Sequence, residues 1–214
     1  MKTIIVSGAT KNIGHAITKK LSEKYHIIAI ARDYHNLDYL YHDNHNVDIY
    51  AMNLTHDNEL NKFKEYINNK EIYGLINNAG GINDVNSVDH GNTQMWEESF
   101  NINALVPLKL SKIVIPHMID YSTIINITSI VALRPFAQMA SYSGAKIAES
   151  HMTKVLRLDL MQKNIKVTEI APAMITEGAL QPEDIANTID WIFDLPEYCN
   201  VDSLTISHIK NTIY

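Results

Sequence analysis

Lys2-Thr3-Ile4-Ile5-Val6-Ser7-Gly8-Ala9-Thr10-Lys11-Asn12-Ile13-Gly14 decides how the rest of this chain is read. Residues 2–6 are a short β-branched apolar run, a glycine-bearing turn follows at once, and Ile13, Ala16, Ile17 and Leu21 then recur at helical spacing. Strand, glycine turn and helix in immediate succession aim several backbone N–H groups and the positive end of a helix at one point, which suits a pyrophosphate. Gly8 permits the tight turn, and Gly14 lets helix and strand approach closely. Glycine also ends many strands for purely structural reasons, so the remainder of the chain has to decide between the two.

Outward from this stretch the alternation repeats. Residues 26–31, 47–52, 72–76, 123–128, 166–171 and 203–209 read as strands. Residues 34–41, 58–67, 93–117 and 181–194, and the segment carrying Tyr142 and Lys146, read as helices. No linker, repeat or low-complexity segment interrupts them. Such a pattern predicts an α/β fold in which a parallel sheet carries helices on both faces and binds ligands beyond the carboxyl ends of its strands. At 214 residues and 24.2 kDa the chain suits one domain, residues 1–214.

Composition removes several function classes. No run of about 18 apolar residues offers a membrane span, and the apolar run before the glycine turn is too short for a secretory signal, so a soluble cytoplasmic protein is expected. The single cysteine, Cys199, excludes an intrachain disulfide and a cysteine-rich metal site. A net charge of −6 with both signs mixed provides no basic stripe for nucleic acid. None of the ten histidines forms a zinc-enzyme motif; His42 and His45 fall in a polar loop, and no metal is expected.

The chemistry concentrates in residues 129–146. Lys146 lies four residues after Tyr142 and so one turn along the same helix face. A free tyrosine ionises near pH ~10, and a cation a few ångströms away favours its phenolate. Ser129, delivered from the end of a strand, adds a hydroxyl that could bind the same reacting oxygen. Together the three suit proton transfer to a carbonyl oxygen. In many helices, however, a Tyr-x-x-x-Lys spacing means only a packed tyrosine and a solvated lysine. Pro107, within the long helical pattern, cannot donate to the carbonyl of Asn103, which predicts a kink that frees that carbonyl.

The Gly8 turn, Asn77-Asn78-Ala79-Gly80, Asn103, Ser129, and Tyr142 with Lys146, in that order, closely resemble the short-chain dehydrogenase/reductase family over essentially the whole chain. The resemblance implies a single-domain Rossmann fold, a doubly wound parallel sheet of about seven strands, binding a nicotinamide dinucleotide. Tyr142 would be the general acid in carbonyl reduction and the base in the reverse direction. Lys146 would lower the phenol pKa and hold the nicotinamide ribose, Ser129 would hold the substrate oxygen, and Asn103 would anchor a water between Lys146 and solvent. Gly8, Thr10, Lys11, Asn12, Ile13 and Gly14 would form the phosphate loop. Arg32, Asn53, Leu54, Asn78, Ala79 and Gly80 would line the cofactor, and Pro172, Ile175 and Thr176 would flank the nicotinamide.

Three positions depart from the family pattern. Asn12 replaces the middle glycine of the loop, but asparagine tolerates a left-handed backbone. Asn53 stands in place of a common aspartate near the adenine, and Ala173 in place of a glycine after Pro172. Ala31 falls where NAD-preferring relatives carry an acid, while Arg32 and Lys11 can meet a 2′-phosphate; NADP is therefore favoured, with NAD following if Asp33 turns inward. Only residues 177–182 separate Thr176 from Glu183, which predicts an open site without a helical lid, walled by residues 82–89 and 130–139. The expected substrate is a small aldehyde or ketone, or the matching alcohol. The alternative function is a cofactor-binding or regulatory protein with little turnover. Family analogy implies a homodimer or homotetramer, paired through the long helices on either side of the fifth strand.

Overall fold

The computed structural model describes residues 1–176 and 179–211. Seven strands form one fully parallel sheet: β1 (Thr3–Ser7), β2 (His26–Ala31), β3 (Val47–Ala51), β4 (Ile72–Asn77), β5 (Met118–Ile127), β6 (Lys166–Pro172) and β7 (Ser203–Ile206), in the order β3-β2-β1-β4-β5-β6-β7. The chain builds outward from β1 to β3, then returns to lay β4 against the other edge of β1. The crevice beyond the β1 and β4 ends is therefore the point where winding reverses, the place where such sheets bind ligands.

Successive strand residues point to opposite faces, and both faces are buried. Ile4, Val6, Ile27, Ala29, Ile76, Ile125 and Ile170 pack under α1 (Asn12–Leu21), α2 (Tyr34–Tyr41) and α7 (Pro182–Asp194). Their neighbours in sequence, Ile5, Ile28, Ile30, Leu75, Ile124 and Val167, pack under α3 (Asp57–Tyr66), α5 (Val106–Val114) and α6 (Ala140–Leu160). This two-sided burial is why the strands read as continuous apolar runs rather than alternating ones.

Three elements differ from the sequence-based expectation. β5 begins at Met118 rather than at residue 123, and its register with β4 shifts between the Ile72–Met118 and Gly74–Thr123 pairs, where Tyr121 adopts φ 61. The helical pattern over 93–117 is α4 (Thr93–Phe100) and α5 joined by a π-helical turn at Asn101–Leu105, whose closing N–H, on Val106, donates to the Asn101 carbonyl. Pro107 lacks the N–H that a regular helix would give to Asn103, so the break falls where the proline forces one. β7 stops at Ile206, short of residue 209, where Ile209 begins a separate short turn.

Candidate active site

The glycine turn is built for an anion. Gly8 has φ +70, and a Cβ at Gly14 would lie 2.1 Å from the Gly8 carbonyl oxygen and 2.5 Å from Asn78 Nδ2, so only glycine fits at that helix–turn contact. Asn12 takes φ 42, the left-handed conformation that asparagine was expected to tolerate. No side chain caps α1, and its first turn carries no acid, so its N-terminal N–H groups and dipole remain available to a phosphate. The turn is braced from β4: Asn78 Nδ2 donates to the carbonyls of Ser7 and Gly8 at 3.1 and 3.2 Å, and the Asn78 and Ala79 N–H groups donate to Ser7 Oγ at 3.0 and 3.1 Å. Thr10 and Ile13 are half-buried and Lys11 is exposed. These features fit a dinucleotide pyrophosphate.

The end of β2 carries the residues expected to choose between the two cofactors. Ala31 is buried, Arg32 is exposed, and neither Arg32 nor Lys11 takes part in an ion pair among the described residues. Asp33 is the N-cap of α2, its carboxylate accepting the Asn36 N–H at 3.2 Å. Asn53 folds its side chain back on its own turn, accepting from Thr55, and Leu54 is buried.

Farther along the carboxyl edge of the sheet, three elements meet. Asn103, fully buried in the π-turn, accepts the Gly81 N–H and donates to the Gly81 carbonyl, both at 2.9 Å. A Cβ placed on Gly80 would lie 2.4 Å from Asn103 Oδ1 and 3.7 Å from Lys146 Nζ. The β4 end, the π-turn and α6 thus converge on the lysine ammonium. Lys146 Nζ donates to the Ile127 carbonyl at 2.9 Å, directly beneath the strand end that carries Ser129. Ser129 is half-buried and accepts the Val131 N–H at 3.3 Å, opening a short turn. Tyr142 is half-buried in the first turn of α6, and its hydroxyl makes no hydrogen bond among the described residues.

Pro172 ends β6 as a buried strand residue paired with Ile206, and Ile175 forms a bridge to Leu180. Glu177 and Gly178, within the segment expected to be a shortened lid, lie outside the described residues. On the opposite wall Asp84 latches residues 82–92 to α4, accepting Trp96 Nε1–H at 2.7 Å and the Asn92 N–H at 3.3 Å. The Asn86 amide, with Trp96 and Asn92, holds the Asp84 carboxyl below the usual carboxylate range.

One group here was missed in the sequence. The buried face of α6 begins with Ser141, Ala145, Lys146, Glu149, Ser150 and Thr153. Glu149 Oε2 accepts from Lys146 Nζ at 2.7 Å with both side chains buried, and burial pushes the Glu149 carboxyl up to about 7 despite the ammonium beside it. The signal was available: an acid three residues after Lys146 lies on the same helix face.

Comparison with known proteins places the chain in a family. The family model described as short chain dehydrogenase matches residues 2–186. A probable NADP-dependent dehydrogenase of Haemophilus influenzae is 27% identical, the match covering 95% of this chain and 92% of the relative. A 3-oxoacyl-[acyl-carrier-protein] reductase of Buchnera aphidicola is 31% identical, with 83% of this chain and 75% of the relative covered. Among solved structures, serine dehydrogenase from Escherichia coli superposes with a TM-score of 0.90 at 24% identity, covering 99% of this chain and 100% of that one. The chain belongs to the short-chain dehydrogenase family.

Proposed function

We propose that this short-chain dehydrogenase is an NADP-dependent oxidoreductase that reduces a small aldehyde or ketone to the alcohol, or runs the reverse, with Tyr142 as general acid and base. The observation that carries this reading is the meeting of Lys146, Asn103 and Gly80 beneath Ser129, one helical turn along α6 from Tyr142, at the ligand-binding edge of the sheet. When bound, a nicotinamide supplies or accepts the hydride. The chain's own residues handle the proton. Ser129 holds the substrate oxygen, Tyr142 donates its phenolic proton to that oxygen in reduction and recovers it in oxidation, and the Lys146 ammonium favours the phenolate between those events. Asn103, fixed on both sides by Gly81, keeps the π-turn in register with the lysine.

NADP is supported by the exposed, unpaired Arg32 and Lys11, by the commitment of Asp33 to capping α2, and by the name of the Haemophilus relative. Homodimers or homotetramers are supported by the apolar side chains exposed along the π-turn, α5 and α6, namely Leu105, Leu108, Ile147, Val155 and Leu158. No described helix is long and apolar enough to cross a membrane. With one half-buried cysteine, a reducing cytoplasmic setting fits the chain.

The test is a carbonyl panel followed by NADPH and NADH absorbance, run on the parent and on Tyr142→Phe. Expected are turnover with NADPH and its loss by at least about a hundredfold in the variant. Activity that survives the loss of the phenol hydroxyl removes Tyr142 from its role. Cofactor binding without turnover across the panel favours the regulatory alternative.

A further inference from the structure

Glu149 is an acid where the fold has little reason to place one. It is buried, it contacts the ammonium of Lys146 at 2.7 Å, and its second oxygen, Oε1, is buried without a protein partner among the described residues. That oxygen belongs to a residue lining a cleft of about 10 Å³ between α5 and α6, with Pro107, Ser111, Asn126 and Thr153. The volume is about that of one water. Beneath the cleft, Asn77, Asn126 and Glu169 sit side by side in the registers of β4, β5 and β6. They form a polar row: Asn77 Nδ2 donates to Asn126 Oδ1 at 2.8 Å, Asn126 Nδ2 to Thr153 Oγ1 at 2.7 Å, and Thr128 Oγ1 to Glu169 Oε1 at 2.9 Å.

Charge balance gives this arrangement a consequence. The ionisable groups acting on Glu149 are Lys146 from its own helix and Glu169 from β6, while Ser111 and Pro107 from α5 and Asn126 from β5 do not titrate. Two carboxyls and one ammonium, all buried, would leave a net negative charge if fully ionised, a state that a low-dielectric interior disfavours. Retaining one proton relieves it. Burial pushes the Glu149 carboxyl up and outweighs the lysine, and the Glu169 charge acts in the same direction as burial.

We propose that Glu149 is a positioning residue acting through Lys146: its buried carboxyl, by gaining or losing a proton to the cleft between α5 and α6, sets how much of the ammonium's charge reaches Tyr142. This rests on the assignment of Tyr142 as acid and base. With Glu149 protonated, the ammonium is uncompensated and the phenolate is favoured. With Glu149 ionised, the pair is neutral and the phenol keeps its proton to higher pH. Residues 142 and 149 lie about two helical turns, roughly 10 Å, apart along α6, and at such a separation one charge moves a titration by about one pH unit.

The test compares the parent with Glu149→Gln, which keeps the shape and removes the titration. In the cofactor-free protein, infrared spectroscopy is expected to show a protonated carboxyl that disappears as pH rises through neutrality, is absent in E149Q, and titrates at higher pH in Lys146→Met. In turnover, E149Q is expected to move the pH limb assigned to Tyr142 down by about one unit. A parent lacking the infrared band, or an E149Q profile that superimposes on the parent's, overturns the proposal. Should E149Q fail to fold, the parent and K146M infrared titrations decide it alone. A parent whose turnover is abolished by Y142F but whose profile is unmoved by E149Q refutes the role of Glu149 and leaves the oxidoreductase reading standing. A parent inert toward every carbonyl refutes both.

Discussion

Gly14→Ala separates two opposing effects whose sizes can be worked out from the structure. Gly14 is the third residue of α1, and alanine in a helix is ordinarily favoured over glycine by up to about 1 kcal/mol. Here the new Cβ would meet the Gly8 carbonyl oxygen at 2.1 Å, Asn78 Nδ2 at 2.5 Å and the Gly8 carbonyl carbon at 2.8 Å. Ordinary contact begins near 3.4 Å, so the overlap exceeds 1 Å, and most of it is against backbone that cannot rotate away. Forcing α1 off the turn costs about 1–3 kcal/mol, as overpacking does elsewhere. Steric cost outweighs propensity, and the net loss is about 1–2 kcal/mol, or roughly 2–8 °C in Tm for a chain of this size. Because the same displacement pulls the α1 N-terminus from the turn, NADPH affinity should fall as well. Urea unfolding and thermal melts check the first outcome, and quenching of protein fluorescence by NADPH checks the second. A variant that is more stable than the parent and binds NADPH normally would refute the close approach of α1 to β1.

Three further outcomes follow from named contacts. Asp33→Ala removes the α2 N-cap and is expected to lower stability by about 1 kcal/mol in urea unfolding while leaving the NADPH-to-NADH preference unchanged; a marked shift in preference would place Asp33 at the ribose instead. Arg32→Ala is expected to raise KM for NADPH about tenfold or more with little effect on NADH, from the loss of charge-assisted bonds to a 2′-phosphate, as steady-state kinetics with both cofactors will show. The Glu149 carboxyl binds its proton more tightly folded than unfolded, so its contribution to stability is complete below about pH 4.5 and is lost as pH rises towards about 7. Parent stability relative to E149Q should therefore decline across that window and level off above it, which unfolding at a series of pH values will reveal.

The buried Lys146–Glu149 pair also bears on what α6 is for. A buried lysine–carboxyl pair contributes little net stability compared with apolar side chains of similar volume, so packing alone gives little reason for it in a core helix. Five of the eight buried α6 residues, Ser141, Lys146, Glu149, Ser150 and Thr153, are polar, and the last two, Leu156 and Leu160, are apolar.

Much of this protein was legible in the chain itself, because its strongest signals are local. β-branched runs such as 26–31 are buried on both faces and so announce parallel strands. The spacing of Ile13, Ala16, Ile17 and Leu21 announces α1, and the ordered motifs announce the family. Asn12 was legible as a left-handed residue because few side chains other than asparagine tolerate that backbone. What the tertiary structure decided were contacts between distant segments and the burial they impose. Pro107 marked a break but could not say that it takes the form of a π-turn holding Asn103 against Gly81. Asp33 could have faced the ribose or α2, and only folding showed it capping the helix. Glu149 reads in sequence as one more helix acid. It becomes a buried neighbour of Lys146 only when α6 is packed against the sheet, because the energy of a charge depends on its surroundings, and those are assembled from residues far apart in the chain.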